Sequence, residues 1–146
     1  RKDAFATGLH IELTQQKFPE ADLAISVPRI RPFVNETEEA DQHLTDAVHE
    51  TQLLQIMCAH RIYHPQLSMT ISTRERVGFR DAAVDICATK ISAGVHTDVG
   101  GHAEAEAADT ETDAQFEIND GRTVDEVHAA LVAKGLQPVY TDFIHV

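Results

Sequence analysis

The chain has 146 residues, 42% of them hydrophobic, which suits one domain with an ordinary core. With 24 acidic residues against 12 basic ones, its net charge of -12 argues against nucleic acid and anionic membrane as partners, since both reward basic patches. Two cysteines, Cys58 and Cys87, cannot form a disulfide framework or supply the three thiolates of an iron–sulfur cluster, and point to a reduced, cytoplasmic setting.

The chain opens at Arg1-Lys2 without an initiator Met, and we expect it to be a piece of a longer polypeptide. In residues 4–18, Phe5, Leu9 and Leu13 recur four apart and Pro19 follows, which predicts a helix. Residues 23–28 read as a strand apolar on both faces. After a polar, acidic loop over 32–44, Thr45 or Asp46 is expected to cap a helix that runs to Tyr63 and stops before Pro65. Leu53, Ile56, Met57 and Tyr63 would form its apolar stripe. Residues 67–72 predict a second strand, 75–84 a shorter helix and 87–92 a third strand. Residues 95–113 read as a loop with an acidic, low-complexity end. Thr123-Val-Asp-Glu126 has the spacing of a capping box; its helix should run to Lys134 and stop at Gly135. Residues 136–143 complete the chain as an extended segment.

The alternation predicts an α/β fold of βαβ units. Three apolar runs end in cationic or hydroxyl residues before a helix or loop: Leu23 to Arg29 and Arg31, Leu67 to Ser72 and Arg74, and Cys87 to Ser92. Strands finishing this way describe the carboxyl rim of a parallel α/β barrel, where such folds hold their chemistry. Guanidinium groups there suit a small anion, because the fork pairs bidentately with a carboxylate. Three strands are too few for a closed barrel of eight.

Several pieces in fixed order carry a resemblance. They are Ile25-Ser-Val-Pro-Arg-Ile-Arg-Pro32, Leu54-Gln-Ile-Met-Cys-Ala-His-Arg61, Ser72-Thr-Arg-Glu75, Arg80-Asp81 and Ile91-Ser-Ala-Gly94, followed by Gly100-Gly101, Gln115-Phe-Glu-Ile118 and Gly135-Leu-Gln-Pro-Val139. The chain resembles the C-terminal part of the 2-iminoacetate synthase family, the radical SAM tyrosine lyases of thiamine thiazole biosynthesis. The family departs from this chain at His102, where it tends to have tyrosine, and at Val139-Tyr-Thr-Asp-Phe143, where it tends to have Val-Trp-Lys-Asp-Trp. Lack of C-terminal cluster cysteines favours this family over the related tyrosine lyase of [FeFe]-hydrogenase maturation.

The resemblance implies the C-terminal portion of a TIM-like (β/α) barrel: the last βα units over 1–94, then a loop, helix and extension over 95–146. It implies a parent enzyme in which a [4Fe-4S] cluster cleaves S-adenosylmethionine and the resulting radical splits the Cα–Cβ bond of tyrosine, giving 2-iminoacetate and p-cresol. The cluster cysteines would lie outside this chain, which alone should hold no cofactor and be catalytically silent.

Arg74, at the end of the implied seventh barrel strand, would hold the tyrosine carboxylate with Ser72, two residues earlier on the same strand face. The competing reading for Arg74 is a salt bridge to Glu75 or Asp81. Ser92 ends the implied eighth strand, beside Gly94, and would line the site or cap a turn. Arg29 and Arg31 would bind the carboxylate of S-adenosylmethionine or tyrosine, or pair with the acids at 36–41. His60 and His64 are four apart, but no compact ligand set surrounds them, and no metal site is expected. His60 is expected beside the buried face of its helix.

The expected partners are tyrosine and the thiazole synthase. A homodimer is also expected, because the open face of a part-barrel would bare Val27, Ile71 and Ile91. The alternative function is a non-catalytic module docking to the thiazole synthase. An unrelated hydrolase-like domain is disfavoured, because no Gly-x-Ser-x-Gly elbow is present.

Overall fold

A computed structural model describes residues 2–29, 48–95 and 118–140. In chain order these form α1 (Lys2–Lys17), β1 (Ala24–Ser26), α2 (Glu50–Tyr63), β2 (Ser68–Ile71), α3 (Val77–Ile86), β3 (Lys90–Ile91) and α4 (Val124–Ala133). Among the described residues the strands make one sheet in the order β1-β2-β3, parallel throughout. Ile25 pairs with Met69, Ser26 with Thr70, Thr70 with Lys90 and Ile71 with Ile91. This is a small α/β piece with a parallel sheet, consistent with part of a barrel.

Alternation along β2 decides the two faces of the sheet. Met69 and Ile71 are buried and join Leu53 and Met57 of α2 and Phe79 and Ala83 of α3 in the core. Ile25, Val27 and Ile91 pack against the same cluster. The opposite face carries Ala24, Ser26, Ser68, Thr70 and Lys90. This corrects the expected apolar open face: Val27, Ile71 and Ile91 pack with the helix-side core, and the other face is polar.

The helices dock on faces that apolar spacing alone misplaces. α1 forms as expected, but Phe5 is 75% exposed, and Leu9 and Leu13 are exposed too. The helix instead approaches through half-buried Ala4 and Gly8 and buried Ile11, a second i, i+4, i+7 row. Gly8 faces the His60 ring, where a Cβ would make van der Waals contact at 3.4 Å. His64 Nε2 lies 3.2 Å from the Gly8 carbonyl. On α2 the buried row is Leu53, Met57 and His60, and Tyr63 points outward. Its cap is His49, whose backbone N–H donates to Gln52 Oε1 at 3.0 Å. Thr45 and Asp46 lie outside the described residues, and the helix starts too late for either to cap it.

α3 runs past the expected Val84 to Ile86, because Cys87 N and Ala88 N both donate to the Ala83 carbonyl at 2.9 and 2.8 Å. That turn shortens the third strand to two residues. α4 carries the expected capping box: Glu126 N donates to Thr123 Oγ1 at 3.3 Å, and Thr123 N donates to Glu126 Oε2 at 2.8 Å. Gly135, at φ +76°, closes its end where L side chains are strained. Among the described residues no helix is long and apolar enough to cross a membrane.

The buried His60 gives the fold a testable pH dependence. Burial, and then the nearby charge of His64, push its pKa below the usual 6.5. The folded state therefore prefers neutral His60, whereas the unfolded chain takes up the proton near 6.5. Its contribution is fully present above pH 6.5 and is lost as pH falls toward the lower folded pKa. Thermal melts from pH 7.5 to 5 should fall more steeply for the native chain than for His60→Gln. Parallel profiles would remove His60 as the cause.

Candidate functional site at the carboxyl rim of the sheet

Because the strands are parallel, the residues that follow them gather at one end. Arg29 follows β1, Ser72 to Glu75 follow β2, and Ser92 to Gly94 follow β3. A fourth segment returns to this rim. Asn119 N and Asp120 N each donate to the Thr73 carbonyl at 3.1 Å, and Gly94 N donates to the Arg122 carbonyl at 3.2 Å.

β2 ends in a turn closed by Glu75 N donating to the Ser72 carbonyl at 3.2 Å. Arg74 N donates to Ser72 Oγ at 3.2 Å, so the Ser72 hydroxyl shapes the turn. Arg74 is half-buried on that turn. This corrects the expectation that Ser72 and Arg74 share a strand face by alternation, since the strand stops at Ile71. Ser92 Oγ donates to the Ile71 carbonyl at 3.3 Å, which brings Ser92 beside the start of the same turn. Ser72, Arg74 and Ser92 are thus neighbours, whereas Arg31 lies outside the described residues.

Arg29 is engaged within the protein. Its Nε donates to Glu75 Oε1 at 2.8 Å, a terminal nitrogen donates to Glu75 Oε2, and Nη1 donates to the Val48 carbonyl at 2.9 Å. Glu75 is 0% exposed, so the bidentate pair is the compensation its buried carboxylate requires. Hydrogen bonding to Glu75 raises the Arg29 pKa. Glu50 extends the network outward to Arg76, which donates to both its carboxylate oxygens at 2.6 Å.

Glu75 holds Arg29, and Asp81 accepts from Arg122 Nη2 at 2.8 Å. The acids at 36–41 lie outside the described residues.

A second charged network was not legible in the sequence. Arg80, on the buried side of α3, is 0% exposed and Asp120 is 1% exposed. Arg80 donates one terminal nitrogen to Asp120 and the other to the Ser92 carbonyl. Arg122 completes the cage, donating from Nε to Asp120 Oδ1 at 3.0 Å and from Nη2 to Oδ2 at 2.7 Å. Burial pushes the Asp120 pKa up, but hydrogen bonds from Arg122 and the charge of Arg80 outweigh it and hold the carboxyl below its usual range. Burial also lowers the Arg80 pKa against the pull of Asp120. Arg80 nonetheless remains a cation at neutral pH, because a guanidinium starts far above it. The network fixes the 119–122 segment, the Ser92 backbone and α3 as one unit beneath Arg74. The only hint in the sequence is an arginine three residues before Ala83 on an otherwise apolar helix face.

The rim gathers half-buried Arg74 on a braced turn with the Ser72 and Ser92 hydroxyls at that turn. Among the described residues no group of three or more His, Cys, Asp or Glu fits a metal ion.

Residues 26–137 match the family described as the Biotin and Thiamin Synthesis associated domain. The 2-iminoacetate synthase of Escherichia coli (strain K12) is 34% identical over 143 residues, covering 98% of this chain and 36% of that enzyme. The 2-iminoacetate synthase of Salmonella typhimurium is 33% identical with the same coverage. The chain thus spans little more than a third of these relatives. Among solved structures, HydG, a maturase of the [FeFe]-hydrogenase, matches with a TM-score of 0.75 at 31% identity, over 90% of this chain and 27% of that one. HydG from Carboxydothermus hydrogenoformans matches with a TM-score of 0.74 at 23% identity, over 95% and 30%, a likeness of fold.

Proposed function

Because the chain belongs to the Biotin and Thiamin Synthesis associated domain family, we propose that it is part of a radical SAM carbon–carbon lyase. In this reading it is the C-terminal barrel portion of a 2-iminoacetate synthase, cleaving the Cα–Cβ bond of tyrosine to 2-iminoacetate and p-cresol. The observation that carries the proposal is 34% identity maintained over 98% of the chain. In the parent enzyme S-adenosylmethionine would supply the radical. The [4Fe-4S] cluster does not fit the described residues, and the chain's two cysteines are too few for it. Its ligands belong elsewhere in the parent.

The contribution of this chain is positional. Arg74 would pair with the tyrosine carboxylate, with Ser72 and Ser92 as hydroxyl neighbours. A radical must meet one hydrogen and not its neighbours, so holding the carboxylate fixes which hydrogen is presented. Arg29 and Glu75 would brace that turn rather than touch substrate, because the Arg29 fork is filled by Glu75. The thiazole synthase would be the partner that receives the 2-iminoacetate.

A chimera tests the reading. This chain replaces the 143 matching residues of the E. coli enzyme, and p-cresol release from tyrosine is measured anaerobically. Release is expected. A folded chimera that carries its cluster, cleaves S-adenosylmethionine and yields no p-cresol would overturn the assignment.

A further inference from the structure

The ladder between β2 and β3 ends at the Ile71–Ile91 pair. Beyond it, the Ser72–Glu75 turn and the Ser92–Gly94 end are tied through the 119–122 segment, with Asp120 at the junction. The Asp120 backbone N–H donates to the Thr73 carbonyl at 3.1 Å, on the turn between Ser72 and Arg74. The Asp120 carboxylate accepts from one terminal nitrogen of Arg80, and the other donates to the Ser92 carbonyl. The path from the Arg74 turn to Ser92 thus runs through Thr73, Asp120 and Arg80. These three are 3%, 1% and 0% exposed, so the path is closed to solvent and to any ligand at the rim.

We propose that Arg80 and Asp120 are positioning residues for the carboxylate clamp: a buried strut that sets the spacing between the Arg74 turn and Ser92. Its consequence for catalysis rests on the lyase reading, whereas the strut itself does not. A buried ion pair is a poor device for stability alone, since desolvation offsets much of its attraction and an apolar pair of similar volume often holds a fold as well. What an apolar pair lacks is direction. Hydrogen bonds from a planar guanidinium fix angle as well as distance, and the two acceptors of Arg80 belong to different segments. A radical reaction magnifies small errors of placement, because a shift of about 1 Å can cost about a hundredfold in rate.

The double variant Arg80→Met with Asp120→Leu separates positioning from stability. It removes the strut but keeps the core filled and keeps the backbone link to Thr73. In the full chain, hydrogen exchange read by mass spectrometry should show peptides covering 72–76, 92–94 and 119–122 exchanging about tenfold faster or more, while those of α2 and β2 keep native rates. Arg80→Lys keeps a cation beside Asp120 but lacks the planar fork, and should loosen the same peptides to a lesser degree. Native protection of the rim peptides in either folded variant would overturn the strut.

In the chimera, the same double variant should raise the tyrosine KM about tenfold or more, and should consume more S-adenosylmethionine per p-cresol released. A merely structural loss would lower both in proportion and leave KM and that ratio native. An active chimera whose double variant keeps the native KM and ratio would therefore overturn the positioning role. A folded, cluster-bearing chimera without the double substitution that yields no p-cresol would instead overturn the lyase reading, and the clamp role with it, while hydrogen exchange still decides the strut.

Discussion

Replacing Asp120 by alanine is expected to cost the fold about 3–5 kcal/mol, because it leaves the fully buried Arg80 without its counter-charge. That is a large share of the roughly 5–15 kcal/mol that holds a domain together. The loss should appear in urea unfolding followed by circular dichroism. Arg80→Met combined with Asp120→Leu should recover much of it, since an apolar pair of similar volume needs no compensation. The same pair predicts acid sensitivity. The Asp120 carboxyl is held below its usual 3.8, so its stabilisation is present above that value and fades as pH falls through the lower folded pKa. A single Asp120→Ala variant within about 1 kcal/mol of the native chain would show that the network contributes little; ordinary surface substitutions fall within about 0.5 kcal/mol.

Arg74→Ala, made in the chimera, is expected to reduce tyrosine cleavage by about ten- to hundredfold or more while leaving the cluster spectrum intact. A charge-assisted hydrogen bond is worth roughly 1.5–3 kcal/mol, which is about that factor in binding. Misplacement of the reacting atoms would add to it. Arg74→Lys should recover only part, since an ammonium lacks the planar fork. Arg29→Ala provides the contrast. It should lower stability by removing the bidentate partner of the buried Glu75 carboxylate, with a smaller effect on turnover per folded molecule. Near-normal p-cresol formation by Arg74→Ala would remove the carboxylate clamp.

The comparison between sequence and structure separates by the kind of physics involved. Strands and helices were legible where apolar runs, Pro65, the Thr123–Glu126 box and Gly135 punctuate the chain, because those signals act within a few residues. The gathering of Arg29, Ser72, Arg74 and Ser92 at one end followed from parallel strands. The docking face of α1 was not legible. Phe5, Leu9 and Leu13 are the larger apolar row, yet Ala4, Gly8 and Ile11 form the face that turns inward. Ion pairing was least legible. Arg29 with Glu75 and Arg80 with Asp120 span 46 and 40 residues, and no local pattern encodes which of many acids an arginine will reach.

The central position of β2 has a consequence for how this chain can change over generations. Its neighbours on both sides are registered to it, residue against residue. A one-residue slip of β2 against these neighbours would invert the alternation in a single event. Met69 and Ile71 would turn toward the polar face and Ser68 and Thr70 into the core, while the turn carrying Arg74 moved by one step. Core and rim are therefore inherited together.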